Sequence, residues 1–302
     1  MEITNNLNQD LNKAPDWFKQ AIKQNYERKE TAIKNKKLVY QTLGDSTEDV
    51  VIVLIHGTGA HKDWWSPLGS LLKGNHYLIV PDLPGMGESD FHDAYSFPLF
   101  QEAIEHILEI ESCSHKKIVL IGHSLGGHIA GYMVSERKGF YMGMVMIDTP
   151  IRPPTYDYTS HKASIPIRKI KYYKDKLTIL NRFRLMPPQD CHNDWYLRYI
   201  AEHSIKETSE GWRWRFDDTI FHSLNRLHGY EFEFTCPSLF IAGGKSLLLD
   251  SRIMQYMQEA FKSSMDFEVI DNAAHHVLLD EPLLLMDVIN GKLKQWMIHK
   301  TS

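Results

Sequence analysis

The chain contains a serine whose place in a turn suits it to act as a nucleophile. Residues 122–127 read Gly-His-Ser-Leu-Gly-Gly, between an apolar run at 118–121 and a segment with helical spacing. A serine on a sharp strand-to-helix turn exposes its hydroxyl, and glycines permit the strained backbone and the close approach of other segments. Because a neutral hydroxyl is a weak nucleophile, Ser124 requires a base that removes its proton. The pattern therefore predicts covalent catalysis through Ser124.

Strands and helices that alternate along the chain must hold this turn in place. Apolar runs rich in β-branched residues predict strands at 50–55, 76–80, 117–121, 142–147, 238–242 and 267–270. Apolar residues at helical spacing predict helices at 97–111, 127–136, 251–261 and 281–297. This alternation predicts an α/β fold with a mostly parallel, doubly wound sheet. Residues 28–44 predict an antiparallel hairpin at one edge of that sheet.

The alternation is interrupted between residues 150 and 231. This segment has no strand-like apolar run but many aromatic and basic residues. We interpret it as a helical cap, or lid, inserted into a core formed by residues 1–149 and 232–302. Its aromatic side chains either cover an apolar substrate or pack the cap helices against one another.

Composition limits the classes of function. With 302 residues, of which 43% are hydrophobic and 24% charged, the chain has the profile of an ordinary globular protein. A net charge of −4 argues against general nucleic-acid binding. No secretory signal and no apolar run of about 18 residues is visible, so we expect a cytoplasmic protein without stable membrane insertion. Cys113, Cys191 and Cys236 lack C-x-x-C spacing and are expected to be plain thiols.

Several motifs, in this order, resemble the α/β-hydrolase family in its single-chain, cap-bearing form. Besides the serine turn, His56-Gly57-Thr58-Gly59 resembles the family's oxyanion loop. Residues 82–89 resemble its D-x-x-G-x-G-x-S turn, and residues 274–282 resemble the loop that carries the catalytic histidine. The resemblance extends from about residue 37 to 298 and weakens across the inserted segment. It implies an α/β-hydrolase fold with an inserted helical cap.

The resemblance also implies which residues act with Ser124. The family places its catalytic histidine directly after a small residue, here Ala274, which favours His275 as the base over the adjacent His276. It places one oxyanion-binding N–H on the residue after the nucleophile, Leu125. The other lies in the His-Gly loop, on Thr58 or alternatively on Gly59.

The acid that orients the histidine is where the sequence departs from the family. The usual Gly-x-x-Asp turn reads Gly243-Gly244-Lys245-Ser246, so a serine stands at the position of the acid. The candidates are Asp148, after the strand at 142–147, and Asp250. Residues 148–153 resemble members of the haloalkane dehalogenase group that carry the acid at the first position, which favours Asp148. Asp250 has an alternative role as the N-cap of the helix at 251–261.

Three residues after the oxyanion loop are candidates for the substrate pocket. Trp64 and Trp65 could form its wall or anchor the next helix in the core. His61 could contact substrate or face solvent.

The resemblance implies a serine esterase that cleaves a small, apolar carboxylic ester or related acyl compound through an acyl-enzyme on Ser124, without a metal or other cofactor. A serine nucleophile disfavours dehalogenase and epoxide-hydrolase chemistry, which requires a carboxylate. Two alternatives stay open. One is a C–C bond hydrolase of the same fold, and the other is a non-catalytic, receptor-like ligand-binding protein, because a fold does not determine function.

Overall fold

A central β-sheet organises the structure, a computed structural model that describes residues 11–156, 171–225, 227 and 229–298. The described strands are β1 (Glu27–Ile33), β2 (Lys36–Leu43), β3 (Val50–Ile55), β4 (Tyr77–Pro81), β5 (Tyr95–Ser96), β6 (Lys117–His123), β7 (Gly143–Ile147), β8 (Ile205–Thr208), β9 (Gly211–Trp214), β10 (Leu224–Asn225), β11 (Ser238–Gly243) and β12 (Met265–Ile270). The described α-helices are α1 (Asp16–Ala21), α2 (Ser66–Gly69), α3 (Phe97–Ile110), α4 (Leu125–Glu136), α5 (Lys176–Leu180), α6 (Asp194–His203), α7 (Ile220–Ser223), α8 (Ser251–Phe261), α9 (Val277–Asp280) and α10 (Pro282–Ile298).

Eight of these strands form the main sheet, in the order β1-β2-β4-β3-β6-β7-β11-β12. The strands from β4 to β12 in this order pair in parallel, whereas β1 and β2 form an antiparallel hairpin and β2 pairs antiparallel with β4. The predicted parallel sheet and its leading hairpin are therefore confirmed. The helices between parallel strands supply the crossover connections that such a sheet requires.

The sheet is buried on both faces, and β3 illustrates why its sequence is uniformly apolar. Val51, Val53 and Ile55 belong to a core cluster that includes residues of α3 and α4. The alternate residues Ile52 and Leu54 belong to a second cluster that includes residues of α10. Successive side chains of a strand point to opposite faces, so a strand between two layers of helices needs apolar residues at every position.

The carboxyl ends of the central strands bring the predicted site residues to one edge of the sheet. In the register of β6 with β7, His123 lies opposite Ile147, and Ile147 lies opposite Ile241 of β11. Ser124 and Asp148 therefore leave the sheet side by side, next to the turn that follows β11. Ligands of open α/β sheets bind outside the carboxyl ends of the strands, so this edge is where the chemistry is expected.

The described part of the inserted segment contains strands as well as helices. Between β7 and β11 lie α5, α6, the antiparallel hairpin β8–β9, α7 and β10, which pairs in parallel with β5. The hairpin strands are four residues long and mostly half-exposed, so they produce no apolar run that the sequence analysis could detect. Residues 157–170 of the predicted cap lie outside the described residues.

The N-terminal helix α1 packs against the insertion. The ring of Phe18 lies 4.4 Å from the ring of Trp195 and 5.0 Å from that of Tyr196, both on α6. Phe18 is fully buried, so this contact attaches the start of the described chain to the inserted segment.

No helix in the described ranges has both the length and the apolarity that crossing a bilayer would require.

Candidate active site

Ser124 occupies a strained turn between β6 and α4. Its φ of 54° and ψ of −116° lie where residues with a side chain are rarely found. The Ser124 N–H donates to the Ile147 carbonyl at 2.9 Å, and its carbonyl accepts from the Thr149 hydroxyl at 3.0 Å. A Cβ on Gly126 would overlap the Ile55 carbonyl oxygen, so only glycine permits the start of α4 to lie this close to β3. The surroundings thus hold the strain that presents the half-buried Ser124 at the sheet edge.

Asp148 is a fully buried carboxylate at the end of β7. Its Oδ1 accepts from the Gly243 N–H at 2.9 Å. Its Oδ2 lies 2.7 Å from His275 Nδ1 and 2.6 Å from the Ser246 hydroxyl. Three donors therefore satisfy a side chain that has no contact with solvent, as a buried carboxylate requires.

His275 is held by its side chain and by its backbone. The ring is 3% exposed, and its Nδ1 donates to Asp148 Oδ2. Its carbonyl accepts from His123 Nε2 at 2.9 Å, which attaches it to the residue before Ser124. Because Nδ1 carries the proton of the hydrogen bond to Asp148, the lone pair of Nε2 is available to take a proton from a nucleophile. This is the tautomer that a general base needs.

His276 does not take this position. Its ring is buried between the rings of Trp64, at 5.4 Å, and His123, at 5.5 Å. Burial lowers the pKa of His276 well below its usual value, so the ring is neutral at neutral pH. The structure thus brings His275 rather than His276 to the carboxylate.

The three neighbouring histidines are also the described residues nearest to a metal-ligating arrangement. One ring nitrogen from each of His123, His275 and His276 lies within 4.8 Å of the others. His123 Nε2 and His275 Nδ1 already bond the His275 carbonyl and Asp148. These two hydrogen bonds also suit a site in which His275 acts as a base toward Ser124.

Asp250, the alternative acid, lies at the N-terminus of α8. Its side chain is exposed, and its Oδ1 accepts from the Ile253 N–H at 2.8 Å. This is the hydrogen bond of a helix N-cap. The structure brings Asp148, and not Asp250, to His275.

The loop at residues 56–59, the predicted oxyanion loop, lies against Ser124. A Cβ built on Gly57 would be 3.3 Å from the Cβ of Ser124. The Gly59 N–H donates to the sulfur of Met86 at 3.2 Å, which leaves Thr58 as the candidate donor of this loop. Leu125 is the first residue of α4, so its N–H has no acceptor within the helix. Both N–H groups lie on segments adjacent to Ser124.

The three pocket candidates are all buried. Trp65 is 1% exposed and Trp64 is 7% exposed, and both belong to the core cluster beneath the sheet. His61 is 2% exposed, so the alternative that it faces solvent is wrong. It is covered because α6 of the insertion ends directly against it.

His61 belongs to a second Ser-His-Asp arrangement that the sequence analysis missed. Its Nε2 lies 2.9 Å from the Ser204 hydroxyl, and its Nδ1 lies 3.3 Å from Asp63. The Ser204 hydroxyl donates to the Ile200 carbonyl at 2.8 Å, so it accepts from His61 and cannot give His61 its proton. Ser204 also lacks the strained strand-to-helix turn of Ser124, since its backbone is helical. This set links the insertion to the oxyanion loop and does not activate a nucleophile.

A buried lysine, Lys62, forms ion pairs next to the oxyanion loop. Lys62 Nζ lies 2.7 Å from Glu88 and 3.2 Å from Asp82. Asp82 in turn accepts from the Lys62 N–H at 2.7 Å and from the Glu88 N–H at 2.9 Å. Lys62 was not among the residues predicted from the sequence, although Asp82 of the D-x-x-G-x-G-x-S turn was a signal that a buried cation is needed nearby.

The burial of His56 predicts that the free energy of unfolding depends on pH. Its Nε2 accepts from the Leu83 N–H at 3.0 Å and its Nδ1 donates to the Gly57 carbonyl at 2.8 Å, so the neutral ring is required. Burial lowers the pKa of His56 to about 4. An unfolded histidine binds a proton near pH 6.5, so the folded state loses stability as the pH falls from about 6.5 to 4, by about 3 kcal/mol for this residue. Urea unfolding between pH 4.5 and 7.5 measures this loss.

His56→Gln, which cannot titrate, is expected to weaken the pH dependence of the unfolding free energy. The matched control is His115→Gln, which removes an exposed histidine and leaves the dependence unchanged. Equal slopes for the wild type and His56→Gln would refute the prediction.

Comparison with known proteins identifies the family of this chain. The profile of the Alpha/beta hydrolase family matches residues 52–288. Human monoglyceride lipase is 23% identical over 272 residues, which are 85% of this chain and 84% of the relative. The pimeloyl-[acyl-carrier protein] methyl ester esterase of Wigglesworthia glossinidia brevipalpis is 23% identical over 286 residues, which are 86% of this chain and 99% of the relative.

Solved structures share the fold at lower sequence identity. A novel esterase from Mycobacterium tuberculosis superposes with a TM-score of 0.70 at 19% identity, and the match covers 97% of this chain and all of that one. A thioesterase domain from the curacin biosynthetic pathway superposes with a TM-score of 0.72 at 18% identity, covering 88% of this chain and 99% of that domain. With a family match that spans most of the sequence, and with the sheet order and serine turn described above, the chain belongs to the alpha/beta hydrolase family.

Proposed function

We propose that this protein is a serine hydrolase that cleaves carboxylic esters of small, apolar molecules, with Ser124 as nucleophile, His275 as general base and Asp148 as the acid. One observation carries the proposal. His275 and Asp148, which are 127 residues apart in sequence, meet in a 2.7 Å hydrogen bond at the sheet edge that presents Ser124. A core that needed only to fold would have little reason to bury this pair beside a strained serine.

The proposed reaction assigns one role to each of these groups. Ser124 Oγ attacks the ester carbonyl carbon while His275 Nε2 takes the hydroxyl proton. The tetrahedral intermediate collapses, the C–O bond to the alcohol breaks, and His275 returns the proton to the departing alcohol. Water then attacks the acyl-enzyme, with His275 again as base, and the carboxylic acid is released. Asp148 stabilises the imidazolium that forms in each half of the reaction.

Negative charge on the substrate oxygen requires donors that are already in place. We assign these donors to the N–H groups of Thr58 and Leu125. Gly59 is excluded from this role because its N–H is bonded to Met86. Fixed backbone donors are worth several kcal/mol of transition-state stabilisation, because they need no reorganisation when charge develops. The ion pairs of Lys62 beneath the loop support this rigidity.

The relatives and the insertion favour an acyl group of apolar character. The relatives named above are a monoglyceride lipase and a methyl ester esterase. In this chain the half-buried rings of Phe216 and Phe221, from the inserted segment, lie against the oxyanion loop, where a Cβ on Gly59 would be 3.9 and 3.7 Å from them. We therefore propose that residues 150–231 act as a cap and that these two rings contact the acyl chain.

Pre-steady-state hydrolysis of p-nitrophenyl esters of two to twelve carbons tests the proposal. We expect a burst of p-nitrophenol close to one equivalent per chain, followed by slower turnover. Mass spectrometry of the quenched reaction should locate the acyl group on the peptide that contains Ser124. Monoacylglycerols, examined in parallel, report whether glycerol is accepted as the alcohol. Absence of both turnover and acyl adduct across the panel would refute ester hydrolysis as the function.

A further inference from the structure

Ser246 stands where most family members carry their acid, and it contacts the acid that this chain uses instead. We infer that Ser246 is a positioning residue, which holds the Asp148 carboxylate in the orientation that His275 needs. The inference rests on the proposed function, because it assigns Ser246 a role in the same site. The hydroxyl lies 2.6 Å from Asp148 Oδ2, the oxygen that also accepts from His275.

The turn after β11 directs the Ser246 proton toward Asp148. The Leu248 N–H donates to Ser246 Oγ at 3.2 Å, so the serine oxygen already accepts one hydrogen bond. Its own proton is then free to point at the carboxylate. The Gly243 N–H, from the same turn, donates to the other carboxylate oxygen at 2.9 Å. The turn therefore donates a hydrogen bond to each oxygen of Asp148, which fixes the plane of its carboxylate.

This arrangement explains why a serine suits position 246. A carboxylate at this position would lie within hydrogen-bond reach of Asp148, and two buried negative charges so close cannot both be ionised without a large cost. A hydroxyl replaces that repulsion with a donated hydrogen bond to an ionised group, which is stronger than a bond between neutral groups. It also withdraws charge from the oxygen that faces His275.

The key variants are Ser246→Ala, which removes the donor, and Ser246→Thr, which keeps it. For Ser246→Ala we expect kcat to fall about tenfold while KM changes little, because one hydrogen bond to a charged group is lost. With the Asp148 charge less dispersed, protonated His275 should persist to higher pH, so the acidic limb of the kcat/KM profile should move upward. Ser246→Thr should restore both values. Lys245→Ala is the matched control, since its side chain in the same turn contacts Asn272 instead.

A measurement without substrate separates this inference from the proposed function. The proton between His275 Nδ1 and Asp148 should give a low-field proton NMR resonance, assigned by its loss in His275→Ala. Ser246→Ala should shift this resonance and raise the pH at which it titrates, whereas Ser246→Thr and Lys245→Ala should not. If Ser246→Ala fails to fold, Ser246→Cys replaces it in this test, because a thiol is of similar size and a poorer hydrogen-bond donor. The same shift of the resonance is then expected in Ser246→Cys.

The outcomes are distinguishable. An inactive wild type in which the resonance still responds to Ser246→Ala would refute ester hydrolysis and support the positioning role. An unchanged resonance and an unchanged acidic limb in Ser246→Ala, even with a lower melting temperature, would overturn the inference and leave Ser246 a purely structural residue.

Discussion

Ser124→Ala is expected to lower kcat by about 10⁵-fold or more, the largest effect of any single change in this protein. Alanine cannot form the acyl-enzyme, and the remaining site can only position substrate and water. KM should change little, because the oxyanion loop and the pocket are intact. The fold should persist, since the backbone bonds that hold the turn come from Ile147, Gly127 and Thr149 and not from the hydroxyl. Steady-state kinetics and labelling by a fluorophosphonate probe measure the loss.

Ser204→Ala is the matched control for this prediction. Ser204 also contacts a histidine next to a carboxylate, but its hydroxyl proton is committed to the Ile200 carbonyl. We expect activity within a few-fold of the wild type and a loss of about 2 kcal/mol in unfolding free energy, because the bonds of the Ser204 hydroxyl to Ile200 and His61 are both removed. If Ser204→Ala abolished probe labelling and Ser124→Ala did not, the nucleophile would be assigned to the wrong serine.

Asp148→Asn is expected to lower kcat by about 10³- to 10⁴-fold. The Gly243 N–H requires an oxygen at the Oδ1 position, so the new amide would direct its NH₂ group toward His275. His275 Nδ1 would then have to accept rather than donate, which places the ring proton on Nε2. In that tautomer the ring cannot take the proton of Ser124. The geometry of the site should be preserved, so the loss appears in kcat and in the burst rate, measured by stopped flow.

Asp250→Asn supplies the comparison for the acid. Asparagine is as good an N-cap as aspartate, so we expect both the helix and the activity to be retained. Full activity in Asp148→Asn together with a loss of orders of magnitude in Asp250→Asn would reverse the assignment of the acid.

The sequence by itself determined the sheet and the serine turn. A strand buried on two faces must be apolar throughout, so the runs at 50–55 and 117–121 were recognisable without knowledge of their neighbours. The serine turn was recognisable for a related reason. A Cβ on Gly122 would overlap the backbone of Gly126, and a Cβ on Gly126 or Gly127 would overlap Ile55 or Thr149. This crowding leaves a signature of three glycines within six consecutive residues. Such features are visible within one short stretch of sequence, whichever segment packs against it.

The tertiary structure alone decided which groups meet. Asp148 and Asp250 were both plausible acids, and the choice depends on the register of β7 against β11, which places Asp148 beside the turn that ends in Ser246. The burial of His61 by Ser204 likewise depends on where α6 ends, 143 residues further along the chain. Contacts between distant segments leave no periodic pattern in either segment, because each residue satisfies its partner in space and not its neighbours in sequence. The sequence therefore supplied the parts of the site, and packing of the strands and the insertion selected which parts act together.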